Sequence, residues 1–150
     1  MAKASLYNTF GSKEELVRAY LKDRHASTAA RIMKYIARYD TPRERILGVF
    51  EAQGELFAEP AFNGCAFVTA SAEAHRGDVV DQAAGDYREW VRSMFAELAG
   101  ELGAADPDTL ARQLHLLYDG AGLSARMDRD PAVAVVSRAA AVALLDAVQP

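Results

Sequence analysis

The 150 residues include one cysteine, one tryptophan and five prolines, and no apolar run approaches the roughly 18 residues that would span a bilayer. Cys65 has no partner for an internal disulfide, which fits a reducing compartment, and it reads as a small buried hydrophobe rather than a nucleophile. Met1-Ala2-Lys3 leads into polar residues instead of the apolar core of a signal peptide, so the expected location is the cytoplasm, away from membranes. His25, His75 and His115 each lack a Glu three residues earlier, there is no His-Glu-x-x-His, no cysteine pair and no phosphate-binding loop, and no nucleophile motif occurs. These absences argue against a metal site, a cofactor and an enzyme. What remains, 51% hydrophobic and 25% charged residues, is an ordinary composition for a chain that buries a core.

Every segment has the periodicity and punctuation of a helix. Gly11 stops a short first helix from Lys3 to Phe10, and Ser12 with Glu15 three residues later opens a long one expected to reach about Arg38. Leu16, Tyr20, Leu21, Ile32, Met33 and Ile36 are its apolar positions. Thr41-Pro42-Arg43-Glu44 caps the next helix, in which Ile46, Phe50, Gln53 and Phe57 recur at helical spacing before Pro60. Asn63-Gly64 signals a turn, Cys65 to about His75 a short helix, and Asp78 to about Leu102 an amphipathic one. Asp106-Pro107 and Asp130-Pro131 each set a capping side chain before an N1 proline and mark two final helices of roughly 18 and 17 residues. The fold class is therefore all-α, a helical bundle.

Charge is polarised along this bundle. Residues 1–45 hold 10 lysines and arginines against 5 acids, while residues 46–150 hold 7 against 16, within a net charge of −4. A basic end on an acidic body suits a polyanionic partner that touches one end only, although solvated basic helix faces give the same count. The first helix places Leu6 and Phe10 on one side and Ser5, Tyr7 and Asn8 elsewhere. Small polar groups that reach base edges, flanked by Lys, Ser or Tyr on phosphates, make a recognition helix, and Lys3, Ser5, Tyr7, Asn8 and Lys13 supply that set.

The run Lys3-Ala-Ser-Leu-Tyr-Asn-Thr-Phe-Gly-Ser-Lys-Glu-Glu-Leu16 resembles the signature of the tetracycline-repressor (TetR) family of transcriptional regulators: Leu6-Tyr7, an aromatic at Phe10, Ser12-Lys13 and Leu16 fall in its pattern. The resemblance implies that residues from about Ala2 to Phe10 match the family's recognition helix, Tyr7 and Lys13 its phosphate clamps, and Ser5 and Asn8 its base-facing positions. Asn8 is the candidate for sequence readout, since an Asn amide pairs bidentately with adenine. Family members carry a first helix and a positioning helix upstream, so the resemblance also implies a chain that starts within its helix-turn-helix. Operator DNA is then a partner if those helices are present, and binding is impaired without them. Residues 1–40 would be the remnant of the DNA-binding domain with its linking helix, and residues 41–150 the ligand-binding and dimerisation domain.

The last two helices are apolar over more than one stripe, along Leu110, Leu114, Leu117 and Ala121 and along Val135, Val136, Ala139, Val142 and Leu145. A helix apolar on two faces buries one on its own body and the other on something else. Leu110, Leu114, Leu117, Ala121, Val135, Ala139 and Val142 are thus candidates for a homodimer interface, the alternative being an internal hairpin. The resemblance implies the same interface, and a body cavity for a small molecule. Phe57, Phe62, Phe67, Tyr87, Trp90, Met94, His115 and Tyr118 are candidate lining residues for an unknown apolar or aromatic ligand, against the plainer reading as core. Trp90 and His115 stand out because each brings a polar atom that needs a partner when buried. The function expected is a repressor that binds a palindromic operator as a dimer and is released by a ligand; the alternative is a dimeric small-molecule-binding or interaction module that does not contact DNA.

Overall fold

The computed structural model describes residues 3–5 and 11–148, and among them there is no strand. Lys3, Ala4 and Ser5 are helical and exposed. Six helices follow: α1 (Lys13–Ile36), α2 (Pro42–Phe57), α3 (Ala66–Ser71), α4 (Val79–Leu102), α5 (Pro107–Asp128) and α6 (Val133–Val148). No helix among the described residues is long and apolar enough to cross a membrane.

Local chemistry sets the boundaries. The side chains of Ser12, Thr41, Asp78 and Asp106 each accept a backbone N–H in the first turn of their helix, satisfying donors that the helix leaves open. The carboxyl of Asp78 is held below its ordinary range by the backbone N–H groups of Asp81 and His75, and that of Asp106 by the Thr109 hydroxyl and N–H. α3 stops at Ser71, short of the expected His75. Its last turns loosen into three-residue hydrogen bonds, and Asp78 captures the His75 N–H at 2.7 Å, turning the chain towards the next helix. α1 ends at Ile36 instead of Arg38. α5 is longer than expected, because nothing breaks it before Arg129 adopts a left-handed conformation at φ 52°. α6 begins at Val133 rather than Pro131, since Asp130 folds back on the Ala132 N–H at 2.9 Å and uses the first residues as a turn.

α2 is the central helix, packed against α1, α4, α5 and α6. Its Ile46, Val49 and Phe50 are fully buried, with Phe50 stacked on Phe95 of α4 at a centroid distance of 6.0 Å. Leu110, Ala111 and Leu114 of α5 and Ala141 and Leu145 of α6 complete the same core. A second, smaller cluster joins Phe57 and Phe62 to Ala121, Ala125 and Ala134. α2 and α6 cross closely at Gly54, where a Cβ would stand 3.1 Å from that of Ala134.

α1 is attached differently. Only Leu21 and Ile32 are buried on it, and Tyr20 and Met33, expected among its apolar positions, face outwards. Its C-terminal half is tied to a column of acids on α2. Arg31 pairs with Glu55 and Glu59, the Tyr35 hydroxyl donates to Glu55 at 2.6 Å, and the Tyr39 hydroxyl just beyond the helix donates to Glu51 at 2.5 Å. Arg138 of α6 reaches the other oxygen of Glu51 at 3.0 Å.

Candidate functional site

A cavity of about 300 Å³ lies between α1, the end of α2, α3, α4 and α5. Its apolar wall is built by Phe57 and Leu56 from α2, Phe62 from the following loop, Phe67 and Val68 from α3, Ala84 and Tyr87 from α4, and Tyr118 and Leu123 from α5. The Phe67 and Tyr87 rings stack at 4.1 Å with an interplanar angle of 6°. His25 of α1 meets Tyr87 and Trp90 edge-on, each at 5.4 Å, so the aromatic cluster behind the cavity also holds the middle of α1.

The polar groups in this wall are specific. The Tyr87 and Tyr118 hydroxyls share a hydrogen bond of 2.8 Å inside the core. Burial raises the Tyr118 phenol from 10.0 to about 12, and burial together with its neighbour raises that of Tyr87 well above its ordinary value. Gln53 is 6% exposed; its amide N–H donates to the Tyr118 carbonyl at 2.7 Å, whereas its Oε1 has no partner among the described residues. Arg88 and Asp119 form an ion pair at 2.8 Å on the wall.

The tyrosine pair gives a prediction with a definite sign. The folded state keeps both phenols protonated at pH values where the unfolded chain releases its protons, so stability is complete below pH 10 and falls as pH rises through about 12. Denaturation midpoints followed across that range should drop, and Tyr118→Phe should reduce the drop. A midpoint unchanged up to pH 12 would contradict a buried neutral pair.

Of the expected lining residues, Phe57, Phe62, Phe67, Tyr87 and Tyr118 come together here, while Trp90, Met94 and His115 do not line the cavity. Met94 lies two helical turns beyond Tyr87 on the same face of α4 and belongs to the core. Trp90 packs on His25, and His115 sits one turn before Tyr118. The His115 Nε2 is 3.5 Å from Asp119 Oδ1 without hydrogen-bonding geometry, and burial lowers its pKa despite that carboxylate. Cys65 is half-buried on the cavity wall instead of closed in the core. Sequence reasoning missed Arg24, Thr28, Arg88, Asp119 and Arg126. Gln53 was visible, as an amide at an apolar position of α2.

A second, wider cleft of about 700 Å³ runs from Lys13, Glu14 and Val17 of α1 to the segment around Glu73, His75 and Asp78. Lys13, in the first turn of α1, is exposed, as are Lys3 and Ser5. Tyr7 and Asn8 lie outside the described residues. Among the described residues no group of acidic, histidine and cysteine side chains could hold a metal ion.

The residues proposed for an interface are divided by the fold. Leu110, Leu114 and Ala121 are buried within the chain's own core, and Leu117 and Val142 are half-buried against it, because the inward stripes of α5 and α6 carry those positions. Val135 and Ala139 are exposed. The outward stripe of α5 carries Leu116, Gly120, Leu123 and Met127, and that of α6 carries Val136, Ala139 and Ala143; Leu116 is 72% exposed and Val136 69%.

No protein-family model and no curated protein matches the sequence. Solved structures do match. A protein of Streptomyces avermitilis described as a TetR transcriptional regulator is 34% identical, with a TM-score of 0.84, over 99% of this chain and 81% of its own. SCO4454, a TetR-family transcriptional regulator of Streptomyces coelicolor, is 26% identical with a TM-score of 0.88 over 100% and 80% of the two chains. A TetR transcriptional regulator of Legionella pneumophila, 20% identical with a TM-score of 0.79 over 99% and 81%, shares the fold.

Proposed function

Because the chain belongs to the TetR family of transcriptional regulators, we propose that it works as a repressor that docks on a palindromic operator as a dimer and leaves it when a small molecule occupies the aromatic cavity. The observation that carries this reading is the placement of α1. One helix starts at Lys13, at the basic end of the chain, and reaches Arg24 and Thr28 in the cavity wall, so a group entering the cavity touches the same rigid rod that leads to the DNA-facing residues. Residues 1–40 are assigned to the DNA side and residues 41–150 to ligand binding and dimerisation. Tyr7 and Lys13 bond phosphates, and Ser5 and Asn8 face bases, with Lys3 adding to the basic end. Two such ends enter successive major grooves about 34 Å apart.

The test is fluorescence polarisation with duplexes tiled across the DNA flanking the protein's own gene. Binding should be confined to a segment with two-fold sequence symmetry and should weaken steeply with salt. Lys13→Ala should lower the slope of log affinity against log salt by about one per chain, the signature of a lost phosphate contact. Absent or salt-insensitive binding would refute the DNA assignment.

A further inference from the structure

The cavity is apolar but not electrically neutral. Residues 46–150 carry an excess of acids, yet the charged side chains lining the cavity are three arginines, Arg24, Arg88 and Arg126, and one acid, Asp119. Asp119 is already engaged, with one carboxylate oxygen on Arg88 and the other facing His115. The side chains of Arg24 and Arg126 make no hydrogen bond or ion pair with any described residue. Arg24 is half-buried and Arg126 exposed, which places both at the rim of an aromatic chamber.

The position of Arg126 is built into the backbone. Gly64 in the α2–α3 connection has φ +89°, and a Cβ there would stand 2.5 Å from Arg126 Cδ. The missing side chain lets the arginine stem lie against the loop, so the guanidinium stays at the rim. Deeper in the wall, the unpartnered Oε1 of Gln53 is an acceptor held in place by its own amide's bond to the Tyr118 carbonyl.

We propose that the cavity takes a small amphipathic organic anion. Its aromatic or aliphatic body packs on Phe57, Phe62, Phe67 and Tyr87, its carboxylate or sulfonate is held by Arg24 and Arg126, and an N–H or O–H on the body serves Gln53. A guanidinium stays charged at every working pH and matches a planar or forked anion, so an anionic head gains two charge-assisted partners that a neutral ligand of the same body does not use. A cationic ligand would be repelled by both. This inference rests on the reading of the cavity as a ligand site, and the experiment separates the two.

Anilinonaphthalenesulfonate and N-phenylnaphthylamine share an aromatic body and an N–H and differ by the sulfonate. Titrated separately against the intact protein by fluorescence, both should bind once per chain, the sulfonate at least about tenfold more tightly at low salt. The double variant Arg24→Gln, Arg126→Gln should bring the sulfonate down to the level of the neutral probe and leave the neutral probe unchanged. A thermal melt matching the parent shows that the variant is folded. Equal affinity of the two probes for the parent protein, or sulfonate binding insensitive to the double substitution, would overturn the anion assignment and leave the cavity reading standing. Failure of both probes to bind would overturn both.

Discussion

Phe50→Ala is expected to cost about 3–5 kcal/mol of folding stability, the usual range for emptying a fully buried phenylalanine site. Phe50 is 0% exposed on the central helix, its ring stacks on the equally buried Phe95, and Ile46 and Val49 flank it from the same helix. The surrounding helices cannot close the void cheaply. α2 touches four of the other five helices, so moving it towards α4 would pull it from α1 and α6. Since a domain of this size is held by only about 5–15 kcal/mol in total, a loss of this magnitude lowers the denaturation midpoint by many degrees. Chemical denaturation with an unchanged m-value is the measurement; a loss below about 1 kcal/mol would mean that the core around α2 is not packed as described.

The second large effect is expected at the outward stripes of α5 and α6. In the proposed dimer, Leu116 and Val136 lie against a second copy, and the double variant Leu116→Glu, Val136→Glu should turn the dimer into a monomer. Each copy then brings two unpaired carboxylates into an apolar contact, and an uncompensated buried charge costs several kcal/mol after relaxation. Because both positions face solvent within the single chain, the fold itself should survive, with an unchanged helical spectrum. Light scattering coupled to gel filtration at micromolar concentration decides the matter. A parent protein that is already a monomer, or a variant that remains a dimer, would remove these stripes from the interface.

These two predictions fall on either side of what can be read in the sequence. Most helix starts were legible because a capping side chain acts on its immediate neighbours: Ser12, Thr41 and Asp106 cap where local spacing placed them, whereas Asp130 closes a turn ahead of its helix. Helix ends were less so, since the turn after α3 depends on Asp78, seven residues past its last helical position. Periodicity located the inward face of α4 but not how far along that face the cavity extends. Tyr87 therefore lines it, and Met94, two turns along the same face, does not. The same limit applies to Leu110 and Leu114. An apolar stripe shows that a face is covered, and only the packing of α2 and α6 shows that their own chain covers it. Arg24, Arg88 and Arg126 carried no signal at all. An arginine on a helix ordinarily projects into solvent, and its place at a cavity rim is created by residues distant in sequence, such as Gly64 beside Arg126.

The attachment of α1 sets a lever ratio. Its ion-paired hold on the body is around Ile32, with Arg31 and Tyr35 clamped on the acids of α2 on either side, while farther along Leu21 and His25 are held by apolar and ring contacts. Measured along the axis from Ile32, Arg24 is about 12 Å away and Lys13 about 28 Å, at 1.5 Å per residue. A rotation of α1 about that fulcrum which shifts Arg24 by 1 Å, roughly the play in a hydrogen-bonded contact, carries Lys13 through more than about twice that distance. In the proposed dimer, two copies moving in opposite senses would double the change in their separation, so a sub-ångström adjustment at the cavity would be read at the far ends as a displacement comparable to the length of a hydrogen bond.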